Sequence, residues 1–170
     1  MERLLNAQLN QWRQNPKRKP LVLKGVRQCG KTWLLKEFGE QNYPDVAVFN
    51  FEENPSLCGI FEQDLDVKRI LLELGVTRGK AIQPKKTLMI LDEIQACEKA
   101  LTSLKYFQEN APEYHIACAG SLLGIALHEN QSFPVGKVDF MTLYPMSFEE
   151  FLIAMDQKML TGYLDSLKLD

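Results

Sequence analysis

A chain of 170 residues, 45% hydrophobic and 25% charged, has the size and composition of one globular domain that builds its core without disulfide or metal staples. A net charge of −2 excludes the basic footprint of a stand-alone nucleic-acid binder. No apolar stretch is long enough to span a bilayer, no signal-peptide pattern opens the chain, and Cys29, Cys58, Cys97 and Cys118 show no C-x-x-C spacing; the expectation is a cytoplasmic protein with reduced thiols and no membrane contact.

In chain order, residues 2–13 carry Leu4, Leu5, Leu9 and Trp12, a helical stripe that ends before Asn15-Pro16. Lys17, Arg18 and Lys19 read as a solvated linker, so residues 1–19 form an N-terminal helix and linker. A short apolar strand, Leu21 to Lys24, then runs into Gly25-Val26-Arg27-Gln28-Cys29-Gly30-Lys31-Thr32 and an apolar-periodic helix from Lys31 to about Gly39. Strand, G-x-x-x-x-G-K-T and helix together are a phosphate-binding P-loop in its required setting. The glycines allow a tight fold whose backbone N–H groups converge on phosphate oxygens, and the helix N-terminus adds its positive dipole end. Lys31 is placed to reach the β and γ phosphates and the Thr32 hydroxyl to coordinate Mg²⁺. The predicted nucleotide-binding segment therefore comprises Gly25, Val26, Arg27, Gln28, Cys29, Gly30, Lys31, Thr32 and Trp33. Arg27 reads equally well as a solvated loop charge, and Cys29 as a small residue suited to a tight turn or as a thiol whose oxidation would block the site.

Turn chemistry at Asn42-Tyr43-Pro44-Asp45 precedes a strand from Val46 to Phe51 ending in Glu52-Glu53, and Asp66 to Leu74 reads as a helix stopped by Gly75. Thr87 to Gln95, TLMILDEIQ, has a continuous apolar run from Leu88 to Leu91 that suits a central parallel strand and ends abruptly in Asp92-Glu93. The carboxyl end of such a strand is where an open α/β sheet presents ligands. Asp92 is thus placed to hold the Mg²⁺ hydration shell, and Glu93 to orient and polarise an attacking water. A helix from Glu98 to Asn110, closed by Pro112, leads to a strand from His115 to Ala119 and then Gly120-Ser121. Ser121 is either a polar sensor beside the γ phosphate or a hydroxyl finishing a strand. Val138 to Tyr144 reads as a last strand, and Ser147-Phe148-Glu149-Glu150 opens a final helix in capping-box style. Strands alternating with helices predict an α/β P-loop NTPase, three layers α/β/α around a mostly parallel sheet of about five strands.

The combination LVLKGVRQCGKTWLL, VFNFEE, LMILDEIQ, AGSLLGIAL and FPVGKVDFMTLYPMSFEEFL resembles the bacterial and archaeal AAA-type ATPases whose P-loop domain precedes a conserved domain of uncertain function. The resemblance covers nearly the whole chain, residues 1–170, as the ATPase domain of a longer protein, with the family's C-terminal domain absent. It implies ATP binding and hydrolysis with Lys31, Thr32, Asp92 and Glu93 in the roles given above, and a homo-oligomer in which a neighbouring subunit adds a positive side chain to the site. Many relatives have a Gly-Arg pair before the last signature where this chain has Gly136-Lys137; Lys137 is then the nearest candidate for a phosphate-facing cation. Any DNA contact would sit in the winged-helix-like or nuclease-like part that relatives carry downstream.

Three functions stay open on these residues: an ATP hydrolase that moves or switches an attached domain, a slow nucleotide-dependent switch or scaffold, and a P-loop small-molecule kinase. The carboxylate pair favours the hydrolase over the kinase, because hydrolysis needs a water-directing acid. A GTPase is disfavoured by the lack of an N-K-x-D-like motif.

Overall fold

The computed structural model describes residues 3–120, 136–156, 159, 160 and 162. The described elements run α1 (Leu5–Gln14), β1 (Leu21–Lys24), α2 (Lys31–Asn42), β2 (Asp45–Asn50), α3 (Cys58–Gln63), α4 (Val67–Arg78), β3 (Thr87–Asp92), α5 (Glu98–Asn110), β4 (His115–Ala119), β5 (Asp139–Thr142) and α6 (Phe148–Ala154). All strand pairs are parallel, in the order β2-β3-β4-β1-β5. The expected fold class holds: a three-layer α/β domain with a five-stranded sheet.

Alternation along each strand builds the layers, because successive side chains point to opposite faces. Val22, Met89, Leu91, Ile116 and Cys118 face one core with Phe61 of α3, Ile70 and Leu74 of α4, and Leu104 and Phe107 of α5. Leu21, Leu23, Leu88, Ile90 and Ala117 face a second core with Leu9 and Trp12 of α1 and Leu34, Leu35 and Phe38 of α2. Every residue of β3 is buried, as its unbroken apolar run requires of a strand covered on both sides. Burying one such Leu or Phe is worth about 1.5–3 kcal/mol. The sheet is therefore a rigid platform whose carboxyl edge carries Gly25 after β1, Asn50 and Asp92 at the last positions of β2 and β3, and Gly120 after β4.

The structure departs from the sequence expectations at element ends. Leu4 lies outside α1 and is 54% exposed, so the buried stripe is Leu5, Leu9 and Trp12. Gly75 does not stop α4, which runs on to Arg78; Gly79, at φ 72, takes the left-handed position while the Gly79 and Lys80 amides donate to the Val76 and Gly75 carbonyls. The short helix α3, which seats Phe61 in the core, was not expected, because six residues are too few to show a period. The last strand is Asp139–Thr142, shorter than residues 138–144. The Ser147 cap of α6 is present in full: Glu150 N–H donates to Ser147 Oγ at 3.1 Å and Ser147 N–H to Glu150 Oε2 at 3.0 Å.

The amino edge of the sheet is held by polar clamps. Asp45 accepts two bonds from Arg78, at 2.8 and 2.9 Å, and one each from Lys80 and Thr87. The Arg78 bonds, against the opposing effect of burial and with help from Lys80 and Thr87, hold its carboxyl well below the usual range. His115 Nδ1 lies 2.7 Å from the Tyr43 hydroxyl, and burial, with the charges of Arg18 and Arg13, brings its pKa down to about 4. These groups secure chain crossings at the edge opposite the P-loop.

Candidate functional site

The loop after β1 is shaped by its own backbone and by the strand beside it. A Cβ on Gly25 would stand 2.4 Å from the Leu143 carbonyl oxygen and 2.9 Å from Cys29 Sγ, so only glycine fits where the loop leaves the sheet. Gln28 (φ 61) and Gly30 (φ 91) have left-handed backbones; such reversals of dihedral sign turn successive N–H groups towards one concavity at the start of α2. Val26, Arg27 and Gln28 form the exposed crest, Cys29 and Gly30 are half-buried, and Trp33, in the first turn of α2, is 44% exposed.

Lys31 is buried, and its ammonium donates to the Gly25 carbonyl at 2.9 Å and the Val26 carbonyl at 2.8 Å. A lysine bent back over the loop that precedes it keeps its charge inside the cradle, where phosphate oxygens can replace the carbonyl acceptors. Across the cradle, Thr32 Oγ1 donates to Asp92 Oδ1 at 2.8 Å. Asn50 Nδ2 donates to Asp92 Oδ2 at 3.1 Å, while Asn50 Oδ1 accepts from the Glu52 and Glu53 amides. Both Asp92 oxygens are thereby aimed. Burial raises the Asp92 pKa, the Thr32 bond works against that rise, and the neighbouring Glu93 charge adds to it. A largely buried carboxylate so disfavoured as an anion, 2.8 Å from a hydroxyl oxygen, fits a hard divalent cation held by Thr32 and Asp92.

Glu93 leaves β3 with a left-handed backbone, φ 48 and ψ 44, which costs a non-glycine residue roughly 1–2 kcal/mol. The turn swings its carboxylate out of the sheet. Gln95 Nε2 donates to Glu93 Oε2 at 2.5 Å, whereas the buried Gln95 Oε1 has no hydrogen-bond partner among the described residues. Gln95 thus fixes the direction of the carboxylate.

A second network braces the loop from behind. Arg3, 4% exposed, donates through Nε to Glu150 Oε1 at 2.9 Å, through Nη2 to the Tyr144 carbonyl at 2.7 Å and through Nη1 to the Cys29 carbonyl at 3.4 Å. One guanidinium thus ties the start of α1, the P-loop, the exit from β5 and α6. Burial opposes the charge on Glu150, but bonds from Ser147, Arg3 and Leu4 outweigh it and leave the Glu150 pKa below its ordinary value. Its stabilising contribution is therefore present at neutral pH and lost as pH falls through the lowered pKa. Replacing Arg3 with alanine strands a buried carboxylate, and the expected cost is about 3–5 kcal/mol of folding stability. Denaturant unfolding of the two proteins at pH 7 measures this; a midpoint unchanged by the substitution would show that the pair does not hold the loop.

The sequence pattern of the AAA domain family matches residues 17–152. The chain belongs to that family. This AAA domain is similar in structure to AMPPCP-bound DnaA from Aquifex aeolicus, at 15% identity and a TM-score of 0.53, over 92% of this chain and 50% of the DnaA chain. At that identity the likeness is one of fold. The domain thus spans half the length of the DnaA chain it matches. No curated protein matches the sequence.

Within this AAA-type P-loop ATPase domain, the P-loop, Thr32, Asp92 and Glu93 come together at the carboxyl edge of the sheet, where the sequence put them. Ser121 lies outside the described residues. Lys137 does not approach the P-loop: it pairs with Glu109 at 3.0 Å and precedes β5, whose first residue Asp139 is in register with Leu21, at the amino edge. Trp12 packs edge-on against His115 at that same edge. Asn50, Arg3 and Glu150 were not expected at the site. An Asn ending a strand that pairs in register with the Asp92 strand is the signal that could have revealed Asn50. Arg3 and Glu150 lie 147 residues apart and carry no such signal. No helix among the described residues is long and apolar enough to cross a membrane.

Proposed function

We propose that this AAA domain binds ATP with Mg²⁺ and hydrolyses it, and that the nucleotide cycle moves or switches an attached domain. The observation that carries the reading is the 2.8 Å contact between Thr32 Oγ1 and Asp92 Oδ1, which joins the first turn of the P-loop helix to the acidic end of β3. In this reading the loop amides and Lys31 hold the phosphates, and Thr32 and Asp92 hold the metal with Asn50 orienting the carboxylate. Mg²⁺ bound there would neutralise charge on the phosphate oxygens. Glu93 takes a proton from the attacking water in the direction set by Gln95, and Ser121 is assigned the polar contact near the γ phosphate. Four free cysteines support a reducing, cytoplasmic setting.

Lys137 is engaged at the opposite edge, so the positive side chain that completes the electrostatic clamp is proposed to come from a neighbouring copy. No DNA contact is assigned to this domain. The test follows ATP turnover without any acceptor while Mg²⁺ is titrated, at several protein concentrations. Asp92→Ala should shift half-maximal Mg²⁺ upward by roughly 10-fold or more, the loss of a charged ligand worth about 1.5–3 kcal/mol, before nucleotide binding itself fails. Superimposed titrations would remove Asp92 from the metal shell. Turnover per chain should rise with concentration; a fast, concentration-independent rate would place a complete site in one chain.

A further inference from the structure

Two cysteines that lie far apart in the sequence meet directly behind the turn that carries Glu93 and Gln95. Cys58 opens α3, is half-buried, and its thiol donates to the Ala96 carbonyl at 3.8 Å. Ala96 is covalently joined to Cys97, which is buried at the N-cap position of α5 and belongs to the core cluster against which Cys58 packs. The remaining cysteines are placed elsewhere: Cys29 faces the Leu143 carbonyl in the P-loop, and Cys118 is sealed in β4. Cys58 and Cys97 are thus a pair of different accessibility, one reachable from solvent and one waiting behind it.

We infer that Cys58 and Cys97 are a modification site that hydroperoxides convert to a reversible disulfide, clamping the segment from Glu93 to Cys97 onto α3. The Cys58 thiolate attacks the peroxide oxygen; the O–O bond breaks, water leaves after protonation, and Cys58 becomes a sulfenic acid. The Cys97 sulfur then attacks the Cys58 sulfur; the S–S bond forms, the S–O bond breaks, and the thiol proton leaves with hydroxide as a second water. Two thiols and one hydroperoxide, here hydrogen peroxide, thus give one disulfide and two waters. Burial first, and the neighbouring Cys58 second, push the Cys97 thiol up to about 12, so the second step relies on the proximity of the two residues more than on thiolate content and quickens as pH rises. A thiol disulfide of this kind, in a protein otherwise free of them, has the character of a redox-responsive bond rather than a structural staple.

The clamp has a stability signature of its own. Closing a loop of about 40 residues restricts the unfolded chain, so the oxidised monomer should melt at higher temperature than the reduced one. The test oxidises the protein with hydrogen peroxide, alkylates it under denaturing conditions, and maps peptides by mass before and after dithiothreitol. The expected result is loss of two reactive thiols, a linked peptide joining Cys58 to Cys97 that dithiothreitol separates, and a raised melting temperature. Cys58→Ser and Cys97→Ser should each lack both the linked peptide and the rise. Oxidation confined to Cys29, a disulfide between two chains, four thiols still reactive, or a linked peptide without any rise in melting temperature would overturn the inference. These readouts involve no nucleotide, so they succeed or fail independently of ATP hydrolysis.

Discussion

Replacing Lys31 with alanine should reduce ATP affinity by on the order of 10²–10⁴-fold, the loss of two charge-assisted hydrogen bonds worth about 1.5–3 kcal/mol each. The magnitude follows from where the ammonium sits. Lys31 is 6% exposed and already donates to the Gly25 and Val26 carbonyls and, at 4.0 Å, to Cys29 Sγ, so its charge is fixed inside the cradle and needs little reordering to meet phosphate. Alanine removes the cation and also leaves those carbonyls without their donor, loosening the loop that orients the amides. Fluorescence titration with a labelled ATP analogue measures the affinity, and circular dichroism of the same sample confirms that the sheet is intact. Tight binding by a folded Lys31→Ala protein would refute the role assigned to the P-loop lysine.

Glu93→Gln should preserve ATP and Mg²⁺ binding while cutting hydrolysis by roughly 10²–10⁴-fold, the usual contribution of a general base. The substitution isolates chemistry from geometry. An amide at position 93 keeps the volume of the side chain and can still accept from Gln95 Nε2, which holds the carboxylate at 2.5 Å. It cannot take a proton from water. The left-handed turn at φ 48 is retained as well, because it is set by the chain leaving β3 after the buried Asp92 and not by the carboxylate. Single-turnover hydrolysis, with binding measured on the same preparation, decides the matter. Unchanged turnover would move the water-directing role to another residue and favour the kinase function.

Much of this domain is written locally. The spacing from Gly25 to Thr32 specifies a loop because glycine conformations, the helix start and the lysine all act within a few residues of one another. The unbroken apolar run from Leu88 to Leu91 specifies a strand covered on both faces, and α5 and β4 begin and end where periodicity and turn residues predict. Interactions within one element leave a pattern in the sequence, and that pattern sufficed for the fold class and for the two ends of the site.

The tertiary structure alone decided what crosses between elements. It set β4 between β1 and β3, placed Asn50 beside Asp92 through the register of β2 with β3, and sent Lys137 to the far edge of the sheet. It also joined Arg3 to Glu150 and packed Cys58 against the segment that ends in Cys97. Each of these contacts depends on which strands become neighbours, and strand order is chosen by the joint burial of both faces of the sheet. No single segment carries that choice, because the free energy that selects it belongs to the two cores, which exist only once all five strands have assembled.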